Sequence, residues 1–285
     1  MKLIVSLIIG LLIGNSVLSK PPIMKEKYIK TSIGEIAVQI KKVPGTTSII
    51  FLHGVYYDHH LWNYQTARIS DRTVVTVDMP LHGSSKHITK KEWTLNDCST
   101  MLIEILDSLK IARVIAIGHS WGSMTILRAA SQHPNRFQSI GLGNMPFEAA
   151  NKQVKRQFRM RHLLLSLRGF YTQQVAKTLY GKHTLKQNPD LREHLDLSMS
   201  KLTNQEVKQT DKSVIVNADN AEPLLEQVEG FAFALKGKED YVPTPKNLKT
   251  TVVKGGHISP LEAPEEVFEF VMKVVNALSV TVFIW

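Results

Sequence analysis

The sequence predicts an α/β fold in which a mostly parallel central sheet is flanked by helices and interrupted by a helical lid insertion. Short β-branched, apolar runs each end in a polar residue or a glycine, which is typical of strands buried on both faces of a parallel sheet. Helical patterns lie between these runs, and such alternation indicates βαβ units. The alternation stops near Asn144, after which residues 147–210 show only helical patterns.

The individual elements follow in chain order. Residues 28–42 predict a hairpin of two strands. The spacing of apolar residues predicts helices over 93–109 and directly after Ser120. A last helix is predicted to open at Ala263 with Pro264 as its first residue. Seven further runs are predicted as strands, and only the place of the fifth in the sheet is left open: 48–54, 72–78, 112–120, 139–144, 213–218, 231–237 and 249–256.

The chain divides into a leader, a core and an insertion. Residues 1–19 combine a positively charged start, a short apolar stretch and small residues, which predicts a signal peptide and an exported (secreted or periplasmic) protein. The alternative is an uncleaved N-terminal membrane anchor. Residues 20–146 and 211–285 are assigned to the α/β core, and residues 147–210 to the helical lid.

Composition adds two constraints. Cys98 is the only cysteine, so the chain forms no internal disulfide and must derive its stability from its core. The last residues, 279–285, are uncharged and of high β propensity, and the sequence assigns them no role.

The charge of the chain is uneven. The net charge is +10, and the stretch between Ala149 and Pro189 holds nine Lys or Arg residues and no Asp or Glu. One interpretation is a solvated helical face, and the other is attraction to an anionic substrate or membrane surface. Nucleic acid is not predicted as a partner, because no recognised binding motif accompanies the charge.

A G-x-S-x-G pattern marks the end of the predicted strand 112–120. Gly118 and Gly122 flank Ser120, and in a strand-turn-helix they would let the two elements approach while the serine hydroxyl is exposed on a strained turn. The alternative is an ordinary turn with a solvated serine. A nucleophilic serine needs a base within hydrogen-bond reach and a third group that orients the base.

Two later strands supply an acid and a histidine. Asp240 follows the run 231–237, and His257 follows the run 249–256, so both are expected at the carboxyl edge of the sheet. The order Ser, Asp, His is the one expected for this elbow motif. Asp219 is the rival acid, and Glu239 is a more distant candidate.

The loop after the run 48–54 is the candidate for oxyanion binding. Its glycine would let the backbone bend under a substrate, so that the amide of Val55 and the amide of Trp121 form the two donors. We expect His53 to brace this loop. Tyr56, His82 and His119 are candidate residues of the substrate pocket.

These motifs together resemble the α/β-hydrolase fold family, in its lid-bearing group of esterases, lactonases, carbon–carbon bond hydrolases and proline iminopeptidases. The resemblance covers most of the mature chain, in the stretches His53-Gly54 with Trp62, Asp78 to Ser85, Gly118 to Gly122, Gly237 to Asp240 with Pro243, and Gly256-His257 with Glu262 to Pro264. It implies that Ser120 is the nucleophile, His257 the general base and then acid, and Asp240 the orienting group. It also implies that the Val55 and Trp121 amides are the oxyanion donors.

Three features qualify the resemblance. A serine at position 120, rather than an aspartate, argues against the dehalogenase and epoxide-hydrolase branches. His82 stands where the family usually has a glycine, and we expect its side chain to shape the mouth of the pocket. The short interval between Asp240 and His257 predicts that the intervening helix is lost or reduced to a turn, which keeps Asp219 open as the acid.

The predicted function is that of a serine hydrolase, with no cofactor and no metal, which cleaves a small carboxylic ester or lactone through an acyl-enzyme. Alternatives are a proline-iminopeptidase-like enzyme or a carbon–carbon bond hydrolase on the same triad, and a non-catalytic exported protein that binds a hydrophobic ligand. A metal hydrolase is a further alternative, although the spacing of its candidate ligands matches no zinc motif: Asp58, His59, His60, His82 and His87.

Overall fold

A computed structural model describes residues 24–228 and 230–277, with an eight-stranded sheet at its centre. The strands are β1 Lys25–Lys30, β2 Glu35–Lys41, β3 Ser48–Leu52, β4 Val74–Val77, β5 Val114–His119, β6 Phe137–Gly143, β7 Ala232–Gly237 and β8 Thr250–Val253. Their order is β1-β2-β4-β3-β5-β6-β7-β8. The pairs β1–β2 and β2–β4 are antiparallel and all others are parallel, so the predicted hairpin and the mostly parallel sheet are confirmed. The predicted signal peptide and the apolar C-terminal residues lie outside the described residues.

Ten α-helices connect and cover the strands within the described part of the chain. They are α1 Asn63–Ala67, α2 Leu95–Ser108, α3 Trp121–Gln132, α4 Lys152–Leu163, α5 Arg168–Leu179, α6 Lys182–Gln187, α7 Asp190–Ser200, α8 Asn204–Asp211, α9 Ser259–Glu262 and α10 Pro264–Val275. Helix α10 has Pro264 as its first residue, as the sequence predicts. A search of the described residues for a helix long and apolar enough to cross a bilayer returns none.

The core lies between the sheet and its helices. Every residue of β3, β4 and β5 is buried, which explains why these strands appear in the sequence as continuous apolar runs. Helix α2 packs against α3, and α1 packs against α10. Helix α2 starts at a capping box in which Thr94 and Asp97 satisfy each other's backbone amides, and it buries Cys98.

The segment between β6 and β7 contains five consecutive helices, α4 to α8. One predicted strand in this segment is not observed. Residues 213–218 were predicted as a strand, but Lys212–Val216 continues α8 as a π-helical turn. The prediction is wrong because β7 takes the place beside β6, while this turn packs mainly on α8 and α4. A short apolar run fits a buried helical turn as well as a strand.

The interval between Asp240 and His257 contains strand β8 and turns. No helix occurs there in the described residues, as its shortness predicts. Asp240 and His257 therefore follow two neighbouring parallel strands, β7 and β8, and come out at the same edge of the sheet.

Candidate active site

Ser120 lies on a sharp turn between β5 and α3. Its φ of 50° and ψ of −111° place an L-residue in the left-handed half of backbone space, which is a strained conformation. The turn is held in place because the Ser120 amide donates to the Gly143 carbonyl at 2.8 Å, and the Gly122 amide donates to the His53 carbonyl at 3.1 Å. A Cβ on Gly118 or Gly122 would overlap neighbouring backbone, so both positions need glycine.

A chain of hydrogen bonds runs from Ser120 through His257 to Asp240. The Ser120 hydroxyl lies 2.9 Å from Nε2 of His257, and Nδ1 of the same ring lies 2.9 Å from Oδ1 of Asp240. Because a carboxylate only accepts, the ring proton belongs on Nδ1, which leaves Nε2 to accept from the serine. All three side chains are buried. The geometry is that of a nucleophile, a base and an orienting acid.

Asp240 is kept ionised by its neighbours. Burial raises its pKa, but the His257 ring and the hydrogen bonds from Asn144 and the Val242 amide outweigh burial and lower the pKa below its usual value. Nδ2 of Asn144 lies 2.8 Å from Oδ2, and the Val242 amide lies 3.1 Å from Oδ1. Asn144 follows β6 at the same sheet edge. Its place directly after a strand is the sequence signal that could identify it.

The rival acids have partners other than His257. Asp219 is mostly exposed and forms an ion pair with the buried guanidinium of Arg128. Glu239 accepts from the Lys182 amide at 3.0 Å. Of the three acids that the sequence analysis considered, only Asp240 lies beside the histidine.

The two expected oxyanion donors belong to backbone segments next to the serine. Trp121 directly follows Ser120, and the turn that carries Val55 follows β3, the strand next to β5. Within the described residues neither amide donates to a protein acceptor. Both are therefore available to a substrate oxygen.

Two buried histidines hold the loop that carries Val55. His53 donates from Nδ1 to the Gly54 carbonyl at 2.7 Å and accepts the Met79 amide at Nε2, 2.9 Å away, so it braces the loop as expected. His82 accepts the Tyr56 amide at Nε2, 3.1 Å away. Burial lowers the pKa of His82 to about 3, so its ring is neutral and able to accept this bond. The expectation that His82 shapes the pocket mouth is wrong, because its side chain is buried and is not among the residues that line the cavity beside Ser120.

His119 is also buried and is not among the residues that line the cavity beside Ser120. Its Nε2 donates to the backbone carbonyl of His257 at 2.7 Å, and the two rings meet edge to face with centroids 5.3 Å apart. Burial lowers the pKa of His119 to about 3. We therefore correct the expectation that His119 lines the pocket, since it supports the backbone of His257 instead.

A cavity of about 320 Å³ opens beside Ser120 and His257. Its wall is mostly apolar, and it carries a few polar groups from the segment 148–161. Tyr56, a candidate pocket residue, is part of this wall. The remaining lining residues are Val55, Met124, Pro146, Phe147, Glu148, Ala149, Ala150, Asn151, Val154, Gln157, Phe158, Arg161, Val175, Thr178, Leu179, Val214, Ile215, Ala218, Tyr241, Val242 and Pro243.

A buried carboxylate ties the helical segment to the candidate oxyanion loop. Tyr56 donates its hydroxyl to Oδ1 of Asp211 at 2.7 Å, and Nε2 of His162 lies 2.8 Å from Oδ2. Tyr171 completes the cluster at 3.4 Å. Burial raises the pKa of Asp211, against the effect of these hydrogen bonds. Asp211 ends α8 without any motif, so the sequence contains no signal that identifies it.

The candidate metal ligands of the sequence analysis are only partly brought together. One ligand atom from each of Asp58, His59 and His60 lies within 4.8 Å of the others. The Asp58 carboxylate, however, already accepts from Nδ1 of His60 at 2.9 Å and from Nζ of Lys201 at 2.8 Å. Nδ1 of His59 donates to Asp78 at 2.9 Å.

Curated proteins of similar sequence include two bacterial enzymes. The chain is 33% identical over 110 residues to 3-oxoadipate enol-lactonase 1 of Acinetobacter baylyi, covering 38% of this chain and 41% of the relative. It is 29% identical over 147 residues to 2-succinyl-6-hydroxy-2,4-cyclohexadiene-1-carboxylate synthase of Escherichia coli, covering 48% of this chain and 58% of the relative. The chain thus spans about half the length of these relatives.

Solved structures show the same fold over nearly the whole described chain. The enol-lactonase from Burkholderia xenovorans LB400 superposes with a TM-score of 0.78 at 17% identity, covering 88% of this chain and 100% of the other. A thermophilic esterase from Thermogutta terrifontis gives a TM-score of 0.76 at 18% identity, covering 89% and 99%. The family described as alpha/beta hydrolase fold matches residues 47–264. With this match and the fold and elbow described above, the chain belongs to the α/β-hydrolase fold family.

Proposed function

We propose that the chain is a serine hydrolase that cleaves a carboxylic ester or lactone through an acyl-enzyme on Ser120. The observation that carries the proposal is the continuous hydrogen-bonded path from Ser120 to His257 to Asp240 at the wall of a cavity. The enol-lactonase and esterase relatives support this reaction class.

The proposed reaction begins with proton transfer from the Ser120 hydroxyl to Nε2 of His257. The serine oxygen attacks the substrate carbonyl, and the Val55 and Trp121 amides donate to the oxyanion that forms. His257 then gives the proton to the departing alcohol oxygen, which leaves the acyl group on Ser120. Water, activated by the same imidazole, hydrolyses this ester and restores the serine.

Asp240 stabilises the imidazolium that exists between these two proton transfers. Its lowered pKa keeps it anionic in the working pH range, and its bond to Nδ1 leaves Nε2 as the acceptor. The loop held by His53 and His82 fixes the Val55 amide before the substrate arrives, which avoids a cost of reorganisation in the transition state.

A fluorophosphonate probe tests the nucleophile. We expect labelling of the wild-type protein and of Ser123→Ala, whose hydroxyl donates to the Gly143 carbonyl, and none of Ser120→Ala. Equal labelling of Ser120→Ala would refute the assignment. Nitrophenyl esters, lactones and aminoacyl anilides, assayed with Ser120→Ala as control, separate esterase from iminopeptidase activity. No turnover of any of them, with tight binding of an apolar ligand, would favour the non-catalytic alternative.

The acid is tested by a matched pair of variants. Asp240→Asn reverses the hydrogen bond to His257, and we expect kcat to fall by roughly 10³–10⁴-fold, as when the acid of a triad is replaced by its amide. Asp219→Asn makes the same chemical change at an acid paired with Arg128, and we expect it to retain wild-type kcat. A large loss of kcat in Asp219→Asn alone would reverse the assignment.

We also propose that substrates carrying a carboxylate are preferred. Arg161 lies in the cavity wall, where its hydrogen-bond partner is the Thr178 hydroxyl at 3.2 Å. Arg161→Gln is expected to raise KM for an anionic ester more than for its neutral analogue. The control, Arg159→Gln, removes a charge from the same helix outside the cavity wall. Equal KM changes for both esters, or no dependence on salt, would mean that the charge only solvates the helix.

A further inference from the structure

Helix α4 and the start of α5 carry a cluster of exposed apolar side chains. Met160, Leu163, Leu167 and Phe170 are 57%, 77%, 61% and 48% exposed, and we call them the lid tip. They make up four of the eight exposed large hydrophobic residues in the described chain, within a single short stretch. A soluble surface rarely concentrates such residues without an interaction that covers them.

Cations without acidic partners lie next to the lid tip. Lys152, Arg156 and Arg159 are exposed and follow one another at intervals of four and three along α4, so they form a row that leads to Leu163. No ion pair to any of the three occurs within the described part of the chain. The whole stretch between Ala149 and Pro189 contains no acid.

The other face of α4 belongs to the candidate active site. Val154, Phe158 and Arg161, again at intervals of four and three, line the cavity beside Ser120. The helix is therefore a thin wall with the cavity on one side and the basic row on the other. None of its residues is buried.

We propose that the lid tip and the basic row form a docking surface for an anionic lipid bilayer. The apolar side chains would enter the interfacial region while the lysine and arginines bind lipid phosphates, the combination that holds interfacial helices on membranes. A second copy of this chain is a poor occupant, because it would bring the same positive charge against the row. Resting on the proposed hydrolase function, the substrate class is then an ester whose acyl chain lies in the bilayer.

Vesicle co-sedimentation of the full chain tests the docking surface. Vesicles of phosphatidylcholine with 30% phosphatidylglycerol are compared with phosphatidylcholine alone, and Ser120→Ala is used so that hydrolysis does not alter the lipid. We expect binding to the anionic vesicles that weakens with salt. Each basic residue near such a surface is worth about fivefold in partition coefficient, so Arg156→Gln/Arg159→Gln should bind roughly 25-fold more weakly.

Matched controls distinguish binding by this surface from a general effect of positive charge or hydrophobicity. Lys25→Gln/Lys27→Gln removes the same charge from exposed positions on β1 and should bind as the parent does. Leu163→Ser/Leu167→Ser should lose binding, whereas Val252→Ser, at an exposed position on β8, should keep it. Equal binding of parent and lid variants, equal binding to both kinds of vesicle, or a change of oligomeric state in place of vesicle binding would overturn the proposal.

Hydrolysis assays separate the failure of docking from the failure of catalysis. With the catalytic serine restored, the lid variants should cleave a short water-soluble ester at the wild-type rate and an ester embedded in anionic vesicles more slowly. Unchanged rates on both esters would contradict the docking proposal and leave the hydrolase intact. Vesicle binding with no hydrolysis of either ester would contradict the proposed function and leave the docking surface intact.

Discussion

Asn144 provides the sharpest test of how the candidate site is held together. Its side-chain amide donates to the buried carboxylate of Asp240 at 2.8 Å and to the Gly256 carbonyl at 3.3 Å. Replacing it by alanine or glycine removes both bonds, so Asp240 keeps its bonds to His257 and Val242 but loses a donor to Oδ2. The variants should lower activity while the serine and histidine remain in place.

The size of the effect follows from the kind of bond that is lost. A hydrogen bond to a charged group contributes about 1.5–3 kcal/mol, and each 1.4 kcal/mol is a factor of ten in rate. If the loss falls on the state in which His257 is an imidazolium, kcat drops roughly 10- to 150-fold. The pKa of Asp240 also rises when a donor to its anion is removed, so the acidic side of the pH–rate profile should move to higher pH.

Backbone strain must be separated from the lost hydrogen bond. Asn144 has a φ of 49°, in the left-handed region that asparagine tolerates and that costs alanine about 1–2 kcal/mol. Asn144→Gly removes the amide without this strain. We therefore expect equal losses of kcat in the two variants, with Asn144→Ala the less stable to urea.

Hydrolysis of a nitrophenyl ester across pH, with urea unfolding of each variant, measures both quantities. If Asn144→Gly keeps wild-type kcat and an unchanged pH–rate profile, Asp240 does not depend on this amide and the reasoning is wrong. If only Asn144→Ala loses activity, the effect is due to backbone conformation.

Two other variants test packing and charge. Gly122→Ala should lower the free energy of unfolding by about 1–3 kcal/mol, because the added Cβ would overlap the Leu52 carbonyl. A Cβ at Gly169 has nothing within 4 Å, so Gly169→Ala should leave the free energy of unfolding unchanged. Equal urea midpoints for the two variants would contradict this reasoning. The pKa of His59 is raised, because its hydrogen bond to Asp78 outweighs the effect of burial. The pKa of Asp78 is lowered, because the same hydrogen bond outweighs the burial of its carboxylate. The pair is charged on both sides, and stabilises the fold most, between about pH 4 and pH 6.5. His59→Gln should therefore lower the free energy of unfolding more near pH 5.5 than near pH 9. An equal loss at both pH values, measured by urea unfolding, would refute the role of this ion pair.

The sequence predicts correctly those elements whose burial produces a recognisable pattern within a single stretch of residues. Strands β3 and β5 are buried along their whole length, so they appear as continuous apolar runs. Because helical patterns alternate with these runs, the runs are interpreted as strands of a parallel sheet. The run 213–218 shows where such reasoning stops. Its composition suits a strand, and only the position of β7 beside β6 excludes it from the sheet.

For the candidate site, the sequence can predict those positions that depend on sheet topology alone. Ser120, Asp240 and His257 all follow strands, and parallel strands bring their carboxyl ends to one edge. Asp211 could not be foreseen, because it ends a helix in a segment whose packing depends on contacts between distant parts of the chain. Its bond to Tyr56 spans 155 positions in the sequence.

Four buried histidines belong to the candidate site or to the loop beside it, and their hydrogen-bond partners decide which of them can act as a base. At His53 and His82 the acceptor nitrogen is occupied by a backbone amide, so neither can take a proton from a hydroxyl without breaking the loop that it holds. At His119 the donor nitrogen binds a carbonyl, which cannot compensate an imidazolium as a carboxylate does. Of these four, only His257 has a carboxylate on one nitrogen and a hydroxyl on the other. Residue type therefore limits the candidates for the base to the histidines. The hydrogen-bond partners of the two ring nitrogens then identify His257 as the base among them.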